Sequence, residues 1–216
     1  MEAAMSFSEA SVGWCEPQVE EELPQLRIAL GQAVLVGHAS PTGPAPQALR
    51  QRLAALSDRF NGAKAVHLRR EPVTAAYRVF FRHIGLDPDV VRTPIEAAVL
   101  ERMLDGGFLT RNLLADVLLV ALLDTGVPVW ALDAQAVQGE VGVRTSRAGD
   151  SFEDGQIVVA DARCAVASLF GEPAAERRPG ADSRRLLLYA LQVAGVPWLA
   201  VEESLWICRS ALEAAS

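Results

Sequence analysis

The stretch "NLLADVLLVALLDTGVPVWALD", residues 112–133, decides how the rest of the chain is read. From Leu113 to Leu123 it is apolar on nearly every side, the mark of a helix enclosed by other elements. Asp124-Thr125-Gly126 then supplies a stop, with glycine where a helix ends in the left-handed conformation. "VPVWAL" reads as a short strand. Pro128 suits the start or the edge of such a strand, where a missing N–H does no harm, and Asp133 turns the chain again. Asn112 and Asp116 are four residues apart and share a helix face. They are the strongly polar groups of this segment before Asp124, so they require partners inside the protein.

Upstream, "LRIALGQAVLVGH" (26–38) is apolar and rich in β-branched residues, which predicts one or two strands. "SPTGPAP" (40–46) is a loop by its proline and glycine content. "QALRQRLAALSDRF" puts Leu49, Leu53, Leu56 and Phe60 on one helical face, and "EPVTAAYRVFFRHIGLDPD" predicts a second helix that opens at Pro72 and ends at Gly85. In "TPIE", Thr93 is a natural N-cap, Pro94 stands at the first helical position and Glu96 completes a capping box. The buried stripe of that helix is expected at Ile95, Ala98, Val99 and Met103, with Gly106-Gly107 as its end.

Downstream, "EVGVRTS", "QIVVAD" and "CAVASLF" predict three strands, the last two joined by a tight "DAR" turn. "GEPAAERRPGADS" (171–183) is a loop, "RRLLLYALQVAG" a strand or a helix, and "VEESLWICRSALEAA" a closing helix. The order of elements predicts an α+β fold with strands in more than one layer against helices. Residues 1–18 lack periodicity and are expected as a loose arm, with 19–216 as a single domain.

The chain has 216 residues, 50% of them hydrophobic and 22% charged, which suits a folded chain with a sizeable core. A net charge of -7 and a pI near 5.0 oppose nonspecific binding to nucleic acid, which depends on phosphate neutralisation, and DNA is not an expected partner. Cys15, Cys164 and Cys208 are odd in number and widely spaced, so neither a disulfide framework nor a zinc site is expected. His38, His67 and His83 have no metal-ligand spacing, and no cofactor is expected. The longest apolar runs are interrupted by Asp116, Asp124 and Gly126, short of the roughly 20 residues a membrane span requires. The acidic N-terminus does not resemble a secretory signal, so a cytoplasmic protein off the membrane is expected.

The segment "AYRVFFRHIGLDPDVVRTPIEAAVLERMLDGGFLTRNLLADVLLVALLDTGVPVWALD" resembles the B3/B4 domain of the bacterial phenylalanyl-tRNA synthetase beta subunit, and more closely the stand-alone proteins built from that domain. The landmarks are Tyr77-Arg78, Arg92-Thr93-Pro94 with Glu96, Asn112 followed by Asp116, then Gly126, Pro128 and Asp133. "RTSRAGDSF" (144–152) and "GQIVVAD" (155–161) continue the set in order. The resemblance implies a three-layer sandwich of two β-sheets and helices. It also implies a proofreading role, in which the domain accepts the aminoacylated 3′ end of tRNA and cleaves a wrong ester.

Carried over by position, Asn112, Asp116, Asp133 and Glu172 become substrate-binding candidates, with Trp130 as a pocket-lining aromatic. Arg144, Arg177 and Arg178 become candidates for contact with the RNA backbone. The departures are specific. Trp130 stands where the synthetases usually carry a histidine, Leu119 replaces a second asparagine, and the loop at Glu153-Asp154 is short, so a synthetase-type editing site is not intact.

Each candidate also has a structural reading. Asn112 and Asp116 can serve core backbone groups, Trp130 can be core, the arginines can be solvated, and Cys164 can be an inert buried thiol. Two functions follow: a trans-acting binder or hydrolase of misacylated tRNA, or a non-catalytic module that kept the fold for an amino-acid-like ligand or a protein partner.

Overall fold

The strand expected over 26–38 forms as β3 (Arg27–Val34) and is central to the first of two sheets in the computed structural model, which describes residues 10–60 and 62–215. Around it the chain builds β1 (Ser11–Val12), β2 (Trp14–Cys15), α1 (Pro17–Glu22), α2 (Gln47–Arg59), α3 (Gly62–His67), α4 (Pro72–His83), α5 (Pro94–Asp105) and α6 (Leu113–Thr125). After these come β4 (Val129–Asp133), β5 (Gly142–Thr145), β6 (Ile157–Ala160), β7 (Ala165–Ser168), β8 (Arg185–Gln192) and α7 (Trp198–Ala214). The ambiguous segment at 184–195 is a strand, because β8 is held between β3 and β4 as a buried central member.

The first sheet has the order β1-β3-β8-β4 and the second β2-β5-β6-β7. All pairs are antiparallel except β2 with β5. Gly13 carries the chain from one sheet to the other. A Cβ there would fall 2.2 Å from the Val141 carbonyl oxygen and 2.7 Å from an Ile28 methyl, so no larger residue fits the crossing. Ile28 and Leu30 thus face the second sheet. On the opposite face of β3, Gly31 lies against Leu205 of α7. Helix, first sheet and second sheet stack in that order, giving the expected α+β sandwich, with one continuous apolar core running through the layers.

The loose arm expected over 1–18 needs correction for its second half; residues 1–9 lie outside the described residues. Ser11–Val12 and Trp14–Cys15 each add a short strand to a different sheet, and Pro17 opens α1. Strands of two residues are too short to show a period, and β2 finds its partner β5 far along the chain.

The helix ends follow their signals. Glu96 accepts both the Thr93 N–H and the Thr93 hydroxyl, at 3.3 and 2.7 Å, as the capping box closes α5. The same carboxylate takes Arg78 at 2.7 Å, which ties α5 to α4. Gly126 ends α6 with φ of 75°. On α5 the stripe is buried at Ile95 and Val99, but Met103 is 44% exposed, because the last turn runs past the core.

α6 shows the most informative difference. No residue from Leu113 to Leu123 is exposed, in keeping with its apolarity. Yet Leu114, Ala115, Leu118 and Leu119 are only half-buried, because that face lines a cavity at the margin of the core. Among the described residues no helix is long and apolar enough to cross a membrane.

Candidate functional site

The cavity starts where α6 starts. Asn112 caps the helix, its Oδ1 accepting the Ala115 N–H at 2.9 Å. The Leu113 and Leu114 N–H groups donate to the carbonyls of Gly43 and Pro41, at 2.8 and 3.0 Å, and that of Asp116 to the Asn112 carbonyl at 3.0 Å. Helix starts attract anions through free N–H groups. Here the first-turn donors are all engaged, so the start of α6 has none to offer.

One turn on, Asp116 is 1% exposed. Its Oδ1 accepts the Arg111 N–H at 2.9 Å, while Oδ2 has no partner among the described residues. Burial pushes this carboxyl above the usual carboxylate range, opposed by the Arg111 N–H and by the charges of Arg111 and Arg50. Leu114, Leu118 and Leu119 continue the wall, and with Phe170, Trp130 and Ala131 they enclose about 710 Å³. Arg92, Arg111 and Arg178 stand on the lining together with Glu101, Asp105 and Glu172. Arg111 is ion-paired with Glu101, and Arg178 donates from Nε to the Pro173 carbonyl at 2.6 Å.

β4 forms a further wall as the edge strand of its sheet. Ala134 N–H donates to the Arg185 carbonyl at 3.0 Å. By the alternation of an antiparallel pair, Leu132 and Trp130 also bond to β8, and the backbone groups of Ala131 and Val129 turn away from it. Both residues line the cavity. Trp130 stacks on Tyr189 at 5.5 Å with 16° between the ring planes and meets the edge of Phe170 at 5.9 Å. Phe170 also contacts Tyr77, Phe80 and Phe81, so one ring joins α4, β4 and the end of β7.

Asn112, Asp116, Trp130, Glu172 and Arg178 therefore come together on one cavity. Three other candidates do not. Asp133 closes β4 away from it, accepting the Gln135 N–H at 2.9 Å and the Ser183 hydroxyl at 2.5 Å. Arg144 is 4% exposed and forms a bidentate pair with Asp150 at 2.7 and 3.0 Å, so its expected solvation is corrected: its guanidinium is an internal brace. Arg177 donates to the Ala136 carbonyl and lies 3.2 Å from the Cys164 Sγ.

Cys164 itself is half-buried and borders a second, polar cavity of about 520 Å³ with Arg144 and Arg147, so its expected burial is corrected. The turn at Asp161 explains this placement: its carboxylate accepts the N–H groups of Arg163 and Cys164 and holds the thiol toward Arg177. Arg111, Phe170 and Ala131 are not among the sequence-based candidates, and Arg92 stands there only as a landmark of the resemblance. Arg111 adjoins Asn112 and Arg92 adjoins Thr93, and those neighbourhoods were the available signal. Among the described residues no group of three or more His, Cys, Asp and Glu side chains gathers to hold a metal ion.

No family model matches the chain. It is similar over part of its length to proteins named phenylalanine–tRNA ligase beta subunit. That of Xanthomonas axonopodis pv. citri is 37% identical over 79 residues, 36% of this chain and 10% of that protein. The Xanthomonas euvesicatoria pv. vesicatoria protein is 34% identical over 93 residues, 42% of this chain and 11% of its own length. The Legionella pneumophila (strain Lens) protein is 36% identical over 80 residues, 36% of this chain and 10% of its own. The chain spans about a tenth of the length of the curated relatives it matches.

Proposed function

We propose that this chain binds the aminoacylated 3′ end of tRNA in the cavity between α5, α6 and β4, as a stand-alone B3/B4-like protein, and hydrolyses the ester when the amino acid is wrong. The observation that carries this reading is the open, arginine-bordered cavity of about 710 Å³ beside Asn112 and Trp130. Ligand sites of this size are largely apolar, with a few convergent polar groups. The similarity to the tRNA ligase beta subunit supports a tRNA-related role.

In this reading the apolar wall of Leu114, Leu118, Leu119 and Trp130 receives the amino-acid side chain. Arg92, Arg111 and Arg178 neutralise phosphates of the RNA end. The Ala131 N–H, turned away from β8, is a donor for the ester carbonyl as charge develops on it. Water attacks that carbonyl, the acyl C–O bond to the ribose breaks, and the leaving ribose oxygen takes up a proton given off by the water, which releases the amino acid and a free 3′-terminal ribose hydroxyl; binding supplies the proximity. Trp130 takes no part in proton transfer; its indole is a surface for stacking.

A second reading has its own support. Asn112 is engaged as a helix cap and Trp130 belongs to an aromatic cluster, and both roles suit a non-catalytic module for an amino-acid-like ligand or a protein partner. A panel of misacylated tRNAs, with deacylation and binding measured at low and moderate salt, separates the two. The first reading expects faster loss of at least one aminoacyl group and salt-sensitive tRNA binding. The second expects neither.

A further inference from the structure

Three buried side-chain atoms lack a hydrogen-bond partner among the described residues: Asp116 Oδ2, Arg177 Nε and the Tyr189 hydroxyl. Of these, only Asp116 belongs to the lining of the large cavity. An unpaired buried carboxylate oxygen costs stability, and proteins normally pair such atoms. The chain leaves this one unmatched on the wall of the cavity, beside the leucines of α6.

The surroundings define what fits there. The first-turn N–H groups of α6 are all engaged, by Gly43, Pro41 and Asn112, so this end has no backbone donor for a carboxylate or a phosphate. What is missing is a donor to an anionic acceptor, and a charge-assisted bond satisfies such an oxygen best. Asp116 is 1% exposed, and this burial favours a compact donor such as an ammonium over a bulkier guanidinium. Leu114, Leu118 and Leu119 lie along the same helix and offer apolar surface for the rest of the ligand.

We infer that Asp116 Oδ2 is the receptor for the primary ammonium of an amino-acid derivative whose carboxyl group is blocked as an ester or an amide. This deepens, and rests on, the reading of the cavity as an aminoacyl site. A free amino acid brings a second carboxylate close to Asp116 when its ammonium is seated there, and the first-turn N–H groups of α6 are already engaged, so the like charges set the site against it. An aminoacyl ester has no such charge.

The test is calorimetric titration of the full chain with phenylalaninamide and leucinamide, with 3-phenylpropanamide (the same amide without the amine), with free phenylalanine, and with adenosine. Asp116→Asn retains the bond from the Arg111 N–H and places an amide where the orphan oxygen stood. At least one amino amide should bind the parent chain. Removal of its amine, restoration of its carboxylate, or Asp116→Asn should each weaken binding by roughly 10-fold or more, the scale of one charge-assisted hydrogen bond.

Equal affinity for 3-phenylpropanamide, equal affinity for free phenylalanine, unchanged binding by Asp116→Asn, or no binding of either amino amide overturns the proposal. So does adenosine binding that is lost in Asp116→Asn, because the oxygen would then serve a sugar hydroxyl. The outcome is separate from that of the tRNA assay. Amine-dependent binding without deacylation retains the ammonium site and removes the hydrolase, and deacylation indifferent to Asp116→Asn does the reverse.

Discussion

Trp130 lies almost parallel to Tyr189, with ring centroids 5.5 Å apart, on directly paired positions of β4 and β8. The stack places a flat apolar surface at the cavity and anchors it to a tyrosine that is fully buried. Trp130→His breaks the stack and leaves a void beside Phe170. It should lower stability by about 2–4 kcal/mol, as large core truncations do, and Trp130→Phe by less. Denaturant midpoints check this. An unchanged midpoint for the histidine variant would mean that the ring bears no load in the core.

Asp116→Asn should raise stability at neutral pH, by on the order of 1 kcal/mol, because it replaces an unsatisfied buried carboxylate. The sign follows from the folded-state shift, in which burial lifts the carboxyl above its usual 3.8. The native state then holds this proton more tightly than the unfolded chain. Stability from this group is greatest at acid pH and falls as pH rises from about 3.8 through the raised value. The advantage of the asparagine variant should therefore grow from acid to neutral pH and then level off. A variant less stable than the parent at pH 7 would contradict this.

The Arg144–Asp150 pair should govern part of the acid limb. Its hydrogen bonds from the guanidinium hold the Asp150 carboxyl well below the usual range, and the Ala165 and Arg147 N–H groups add to the effect. A depressed carboxylate stabilises the fold above its unfolded value of 3.8, and that stability is lost as pH falls toward the folded value. Asp150→Ala strands a buried guanidinium and should cost about 3–5 kcal/mol at pH 7, with a flatter stability profile below pH 4. A loss of the same size at every pH would assign the effect to packing.

Thr93→Ala should cost about 1 kcal/mol, as an N-cap does. Glu96→Ala should cost more, because it also leaves the buried Arg78 without a partner that lies 2.7 Å away. Thermal melts of the two variants should rank them in that order, and the reverse order would mean that the cap outweighs the ion pair.

Much of this fold was legible where one short rule governs an element. Thr93-Pro94-Ile95-Glu96 wrote its own helix start, Gly126 its own helix end, and the apolar runs at 157–160 and 165–168, parted by a tight turn, their two strands. What was not legible depended on distant partners. β1 and β2 exist through pairing with β3 and β5, and residues 11–15 alone carry no period. Apolarity around α6 signalled enclosure, but it reads alike for a packed face and for a cavity wall, so Leu114 and Leu118 came forward only with the fold, and Leu119 had stood out only as a departure from the resemblance. At the site, the spacing of Asn112 and Asp116 announced a shared face. The burial of Arg144 was hidden, because its partner Asp150 follows a turn whose geometry no pattern specifies.

The most direct test of the account is the rate at which the full chain deacylates a panel of misacylated tRNAs, measured for the parent and for Asn112→Asp. Aspartate is as good an N-cap as asparagine, so α6 and the stability of the chain should be preserved, while the amide nitrogen of Asn112, which the cap does not use, gives way to an anionic oxygen on the lining of the cavity. The account predicts that the parent accelerates hydrolysis of at least one misacylated tRNA above the buffer rate, and that Asn112→Asp slows it by about 10-fold with an unchanged melting temperature. Buffer-level rates for the parent across the whole panel would contradict the central claim.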